Sequence, residues 1–348
     1  MADDTVDIIR TDSETDLFLA ISTMSDNGGV VYIDTPIIRI NRINRFPLSG
    51  TKSGGIVGVR QHNGAYPIIN FKNANQSMSG FIINGSNKYM KFLIIEYTGF
   101  TAIDIDGSNN TLDHIIARYI NGNGIYVSDN TNGNILNYCY SYRNIDTRIY
   151  GIKANGFVGA SNTVFNYCFA WDNSDNGWSL FDAKHDTSNV QYLHSASWNN
   201  GNPDVFTGKY DYNIGRSLDI RMRTIRQILD SDPSFLINYN KRKFSIDEGT
   251  IEGVSVKDWI RNKRIEGNGF QFGEKLTVHS TSVKRKAVYS VAFDNKLIGF
   301  DNNESQGCSG YIENCVSFNN NINYQLPYVF EKWSNNWSWN PIKADQVK

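Results

Sequence analysis

Five seven-residue segments of the chain lie over one another without a gap, and this repeat constrains the fold more than any other feature. They are Tyr138 to Asn144, Tyr167 to Asn173, His194 to Asn200, Tyr289 to Asn295 and Asn314 to Asn320. Each has a small residue second, an aromatic fifth and Asn seventh. The closing asparagines stand 29, 27, 95 and 25 residues apart, and Asn121 extends the series by 23 upstream. A second motif runs between them: Asn123-Gly124-Ile125, Asn155-Gly156-Phe157, Asn176-Gly177-Trp178, Asn268-Gly269-Phe270 and, more loosely, Ile298-Gly299-Phe300. A unit of this length cannot bury an apolar face alone, so equivalent positions must stack on the units above and below.

A period of 22 to 30 residues with a recurrent turn asparagine predicts an all-β, right-handed parallel β-helix, each coil made of three short strands. The 43 Asn and 29 Gly supply turns, and 19 Tyr and 19 Phe suit strands. Stacked asparagines are expected to form side-chain amide ladders that satisfy turn carbonyls. Cys139, Cys168, Ser195, Ser290 and Cys315 then fall in one small inward column, with buried packing as their role. A leucine-rich repeat lacks its spaced leucines here, and a propeller blade would need a longer period.

The whole chain reads as one domain. Leu17, Ile21 and Met24 predict a short amphipathic helix over 11–27 that caps the first coil. The long gap, about 201–266, is expected as one partly helical insertion. Leu218, Met222, Ile225 and Leu229 carry the helical spacing, and Ser255 to Asp258 form a capping box before Trp259. Trp333, Trp337 and Trp339 are expected to cover the last coil in a C-terminal cap over about 325–348. With Lys plus Arg at 34 against 35 Asp plus Glu, no basic surplus points to nucleic acid. No apolar run is long enough to span a membrane. The acidic start, Met1-Ala2-Asp3-Asp4, shows no signal peptide.

Four stretches together resemble the pectate lyases of the ninth polysaccharide lyase family. They are Asn155-Gly156-Phe157, Cys168 to Phe181, Gly267 to Gln271 and Val291 to Asn303. The resemblance runs from about residue 80 to about 325 and implies a secreted β-helix, any leader lying outside this sequence. It also implies cleavage of an acidic, uronic-acid polysaccharide by β-elimination, using Ca²⁺ and a lysine base. The protein is expected to act as a monomer. Such a site works because Ca²⁺ neutralises the uronate carboxylate and makes the C5 proton acidic enough for a basic side chain to take.

Carried over by position, the family's metal-binding aspartates correspond to Asn155, Asp175, Asn176 and Ser179, and its lysine base to Gln271. Asp175 is the one metal ligand kept, so Ca²⁺ is expected to bind weakly or not at all. Replacement cations lie nearby in sequence: Lys153 on the same strand face as Asn155, Lys275 four residues beyond Gln271, and Lys184 and His185 after the Trp178 strand. Asn155, Asn176, Trp178, Ser179 and Lys184 are the expected substrate contacts. Lys153, Lys275, His185 and Gln271 are the expected catalytic positions. Two alternatives stand beside the lyase. One is a non-catalytic glycan-binding β-helix. The other is a hydrolase drawing two carboxylates from Asp172, Asp175, Asp182 and Asp301. Trp171, Trp178 and Trp198 offer rings in adjacent coils, for core stacking or for sugar faces.

Overall fold

The computed structural model describes residues 8–10, 13–42, 45–74, 78–146, 154–159, 162–180, 189–202, 250–251, 254–255, 266–273, 280–302, 308–326 and 330–339. They form a parallel β-helix. One coil shows its construction: strand Thr163–Asn166, a bend, strand Phe169–Trp171, a second bend, then Trp178–Ser179. These pair in parallel with Ile135–Asn137, Tyr140–Tyr142 and Phe157–Val158 on one side. On the other they pair with Val190–Leu193, Ala196–Trp198 and Phe270–Gln271. Among the described residues the third-strand sheet has nine rungs, from Phe46–Leu48 to Ile322–Gln325, and two of them precede residue 100.

Both bends explain the seven-residue repeat. Its first residue is left-handed at Tyr138, Tyr167, His194, Tyr289 and Asn314, and its sixth at Arg143, Asp172, Asn199, Asp294 and Asn319, with φ between 51° and 57°. This conformation is costly for residues with a Cβ and persists only where neighbours enforce it. Stacking supplies the enforcement. Tyr138, Tyr167, His194 and Tyr289 lie ring on ring at 5.0, 4.7 and 5.1 Å. The small second residue folds its Sγ or Oγ onto the carbonyl two residues back, as Cys139 does on Asn137 and Ser195 on Leu193. Burial raises the Cys139 and Cys315 thiols, the latter to about 12, which keeps these two as unreactive thiols.

The seventh position forms the expected ladder. The side-chain amide of Asn144 donates to Asn173 at 2.8 Å, Asn173 to Asn200 at 3.0 Å, Asn200 to Asn295 at 2.8 Å and Asn295 to Asn320 at 3.0 Å. Outward fifth-position rings stack beside it. Tyr142, Trp171, Trp198, Phe293 and Phe318 are all buried, with Trp171 and Trp198 only 3° from parallel. They therefore serve core stacking. Trp178 belongs elsewhere: it points into the lumen between Phe157 and Phe270.

The N-terminal helix, α1, runs Glu14–Asn27. Ser13 caps it by accepting the Asp16 N–H, and Leu17, Ile21 and Met24 are buried as expected. It stops at Gly28, φ 83°, where a Cβ would stand 2.8 Å from the Ser53 carbonyl. The C-terminal expectation is corrected over 330–339, with 340–348 outside the described residues. Phe330–Ser334 and Trp337–Trp339 pair in parallel with the preceding coil, so Trp333, Trp337 and Trp339 belong to a further coil and not to a cover over the last one. Within the insertion, Thr250–Ile251 and Val254–Ser255 form an antiparallel pair. The expected helix around 218–229 and the residues from 256 onward in the capping box lie outside the described residues. No helix among the described residues is long and apolar enough to cross a membrane.

Candidate active site

The third-strand sheet carries one outward residue per rung, and parallel register lines them up. Pro47, Ile82, Asp104, Tyr126, Val158 and Ser179 form the first part of the row. Gln271, Asp301 and Gln325 continue it. With rungs about 4.8 Å apart, the row is a floor on the outer side of the coils, half-buried at Pro47, Ile82, Asp104 and Tyr126 and buried at Val158, Ser179, Gln271 and Asp301. Burial pushes the Asp104 carboxyl up to about 6, against hydrogen bonds from the Ser79 and Thr101 hydroxyls and with Asp106 adding repulsion. Because its folded value exceeds the usual one near 3.9, folding favours the protonated form. Stability should fall as pH rises from about 4 to about 6. Asp104→Asn should flatten that loss in thermal melts run across this range, and an unchanged profile would contradict the assignment.

The Asn-Gly-aromatic motif turns out to be a second ladder, bordering this floor. The Asn155 amide oxygen accepts the backbone N–H of Asn176 at 3.1 Å, Asn176 that of Asn268 at 2.7 Å, and Asn268 that of Ile298 at 3.1 Å. Asn123 in turn accepts from Asn155. The glycine is required by close approach, since a Cβ on Gly177 would fall 2.0 Å from Ser197 Oγ. Asn155 and Asn176 thus hold the coils together.

Three segments converge at one point of the floor. Ser179 Oγ donates to Gln271 Oε1 at 3.0 Å, and Gln271 Nε2 donates to Glu266 Oε2 at 2.9 Å. The same oxygen accepts from Asn176 Nδ2 at 3.3 Å and Asn268 Nδ2 at 3.4 Å. Asn268 Nδ2 also donates to Asp301 at 3.2 Å. At the edge, Lys296 packs its stem over Gly201 and Gly267. Burial pulls its ammonium below the usual lysine value, while the Asp175 carboxylate acts in the opposite sense.

The structure thus brings together Asn155, Asp175, Asn176, Ser179 and Gln271 of the expected residues. Trp178 is corrected: it is 0% exposed inside the lumen, because its strand alternation turns Ser179, not Trp178, outward. Lys153, Lys184, His185 and Lys275 lie outside the described residues, as does Asp182. Asp172 is buried away from the floor, bonded to Arg143 at 3.3 Å and Asn199 at 2.7 Å. Sequence reasoning missed Glu266, Asn268 and Lys296 as site residues. Asn268 was visible as a member of the Asn-Gly series, but Glu266 and Lys296 sit in no repeat position.

Calcium does not fit the residues present. The Asn155 and Asn176 amide oxygens already accept backbone N–H donors. Among the described residues no group of three or more carboxylate, imidazole or thiol ligands gathers. Asp175 alone is not a cage for a cation that takes six to eight oxygens.

The profile of the family described as Pel9A-like, right handed beta helix region, matches residues 10–213. The chain belongs to this family. Its curated relatives include pectate lyase L of Dickeya chrysanthemi, 27% identical over 254 residues, which cover 72% of this chain and 45% of the relative. Pectate lyase L of Paenibacillus polymyxa (strain SC2) is 24% identical, covering 76% of this chain and 63% of that one. The chain spans about half the length of the Dickeya relatives it matches. Among solved structures, pectate lyase Pel9A superimposes with a TM-score of 0.60 at 19% identity, over 94% of this chain and 76% of that one. A rhamnogalacturonan lyase gives 0.58 at 19% identity, over 85% and 67%. These superpositions establish the Pel9A-like coil geometry.

Proposed function

We propose that the protein is a polysaccharide lyase, acting outside the cell as a monomer on an acidic, uronic-acid-containing polymer laid along the outward row. The observation that carries this reading is the row itself. It puts Ser179, Gln271 and Asp301 on one face, with Asp175 and Lys296 at its edge, in a family whose relatives are named pectate lyases. In β-elimination a base takes the C5 proton, the electron pair forms the C4–C5 double bond, and the C4–oxygen bond breaks with the leaving oxygen taking a proton from water. Gln271 has no basic group and serves to position. Lys296, whose environment favours the neutral amine more than water does, is a described lysine suited to take the proton. Lys153, Lys275 and His185 remain proposed alternatives.

The test is incubation with a panel of uronate polymers, following the ultraviolet absorbance of unsaturated uronate ends. Products should appear, and Lys296→Ala should lower kcat about 100-fold or more, the usual contribution of a general base. New reducing ends without that absorbance would instead indicate hydrolysis by Glu266 and Asp301, the two carboxylates flanking Asn268. Binding without cleavage would indicate a glycan-binding module.

Metal dependence follows from the donor set. Activity should be unchanged by a calcium chelator, and calorimetry should show no binding tighter than the millimolar range. Micromolar Ca²⁺ binding abolished by Asp175→Ala would contradict this.

A further inference from the structure

The convergence at Glu266 has the form of a built receptor. Three N–H donors from two neighbouring coils meet one oxygen, and the residues that carry them, Asn176, Asn268 and Gln271, are each 2% exposed. Their orientations are locked from behind. Asn176 Oδ1 is held by the Asn268 N–H, Asn268 Oδ1 by the Ile298 N–H, and Gln271 Oε1 by the Ser179 hydroxyl. An amide whose oxygen is fixed must present its NH₂ the other way. The cost of orienting the donors is therefore met by the fold before anything binds. The group that receives them differs in kind. Glu266 is exposed, belongs to neither ladder, and reaches the donors through a flexible side chain from just before Gly267.

Fixed neutral donors buried beneath one exposed side chain favour a carboxylate, because hydrogen bonds to a charged acceptor are about twice as strong as those to a neutral one. Every unit of a uronate polymer carries such a group. We propose that the Asn176, Asn268 and Gln271 amides form a receptor for the carboxylate of one uronate unit, and that Glu266 occupies it as an internal competitor. This rests on the reading that the outward row binds an acidic polysaccharide. Polymer binding then requires Glu266 to swing out, and the receptor holds the uronate carboxylate without a metal. Asp301, which shares the Asn268 amide, tempers the affinity by repulsion, and Lys296 at the edge offsets part of it.

Calorimetry with galacturonate, glucuronate and mannuronate trisaccharides, on the unmodified chain and on Glu266→Ala, tests the competition. At least one trisaccharide should bind Glu266→Ala tenfold or more tighter, and the same sugar with its carboxylates reduced to alcohols should show no such gain. Adding Gln271→Leu to Glu266→Ala should reverse part of the gain, with thermal melts confirming that both variants fold. As a control for net charge alone, Asp34→Ala on a remote turn should leave affinity unchanged. If no trisaccharide gains affinity, or neutral and acidic sugars gain alike, the competitor role is overturned and Glu266 is a structural clasp. The two readings fail separately. Gain without unsaturated products from the unmodified chain keeps the receptor and removes the lyase, and products without gain do the reverse.

Discussion

Trp178→Ala should lose about 3–5 kcal/mol of stability, the usual cost of emptying a buried large aromatic site. The indole is sandwiched between Phe157 at 4.9 Å and Phe270 at 4.6 Å, with Phe165 and Tyr192 meeting it edge-on. Offset stacking of this kind adds about 0.5–1.5 kcal/mol beyond area burial. Trp178→Phe should behave quite differently. The ring stack would continue, and the Trp178 Nε1 proton, which has no acceptor among the described residues, would disappear with the indole. Removing an unsatisfied buried donor offsets part of the lost contact, so a change within about 1.5 kcal/mol is expected. Denaturant unfolding of both variants decides the matter. Trp178→Phe losing sugar affinity at full stability would show a ring that meets substrate, against its place in the lumen.

Asn173 carries the second large effect. Its oxygen accepts from both the backbone N–H and the side-chain amide of Asn144, at 3.3 and 2.8 Å. Its own amide donates to Asn200 Oδ1 at 3.0 Å and Ser141 O at 3.3 Å. The residue is fully buried, so Asn173→Ala would strand partners in two neighbouring coils. With each stranded group costing about 1–3 kcal/mol, a loss of about 3–5 kcal/mol is expected. That is a large fraction of the total stability of an ordinary domain. Asn173→Asp keeps the shape but turns an oxygen toward Asn200 Oδ1 and buries a charge. Its folded-state pKa must therefore lie above the ordinary aspartate value. The variant should be least stable at neutral pH and regain stability as pH falls and the carboxyl protonates. Melts of Asn173→Asp that are flat across pH would contradict the ladder's donor and acceptor assignment.

The architecture was readable because both bends recur in the sequence. A residue tolerated in left-handed backbone, a small residue, an aromatic and an asparagine must reappear wherever the chain turns the same corner. The Asn144 ladder and the cysteine column followed from that recurrence. The site was readable only in part. Asn155 and Asn176 match family metal positions by alignment, yet their oxygens are spent on backbone N–H groups, which the run from Asn123 to Asn268 could have signalled. Trp178 drew attention as an aromatic in a site motif, although strand alternation already set Ser179 on the opposite face. Glu266 was out of reach. It meets Asn176 from 90 residues away and obeys no period, so only the folded chain places it.

The insertion point repays attention for what it permits over evolutionary time. Asn200 and Asn295 bond as next neighbours in the ladder although 95 residues separate them. Just beyond Asn200, a Cβ on Gly201 would sit 2.7 Å from the Gly267 Cα, so the outgoing and returning strands of chain touch. A detour whose two feet stand together imposes no geometry on the scaffold, and its closure entropy grows only with the logarithm of its length. Descendants can lengthen, trim or exchange the detour while every rung keeps its partner. Since Glu266 stands at the returning foot, each such exchange also rewrites what guards the amide receptor, and new polymer preferences can arise without retuning the solenoid.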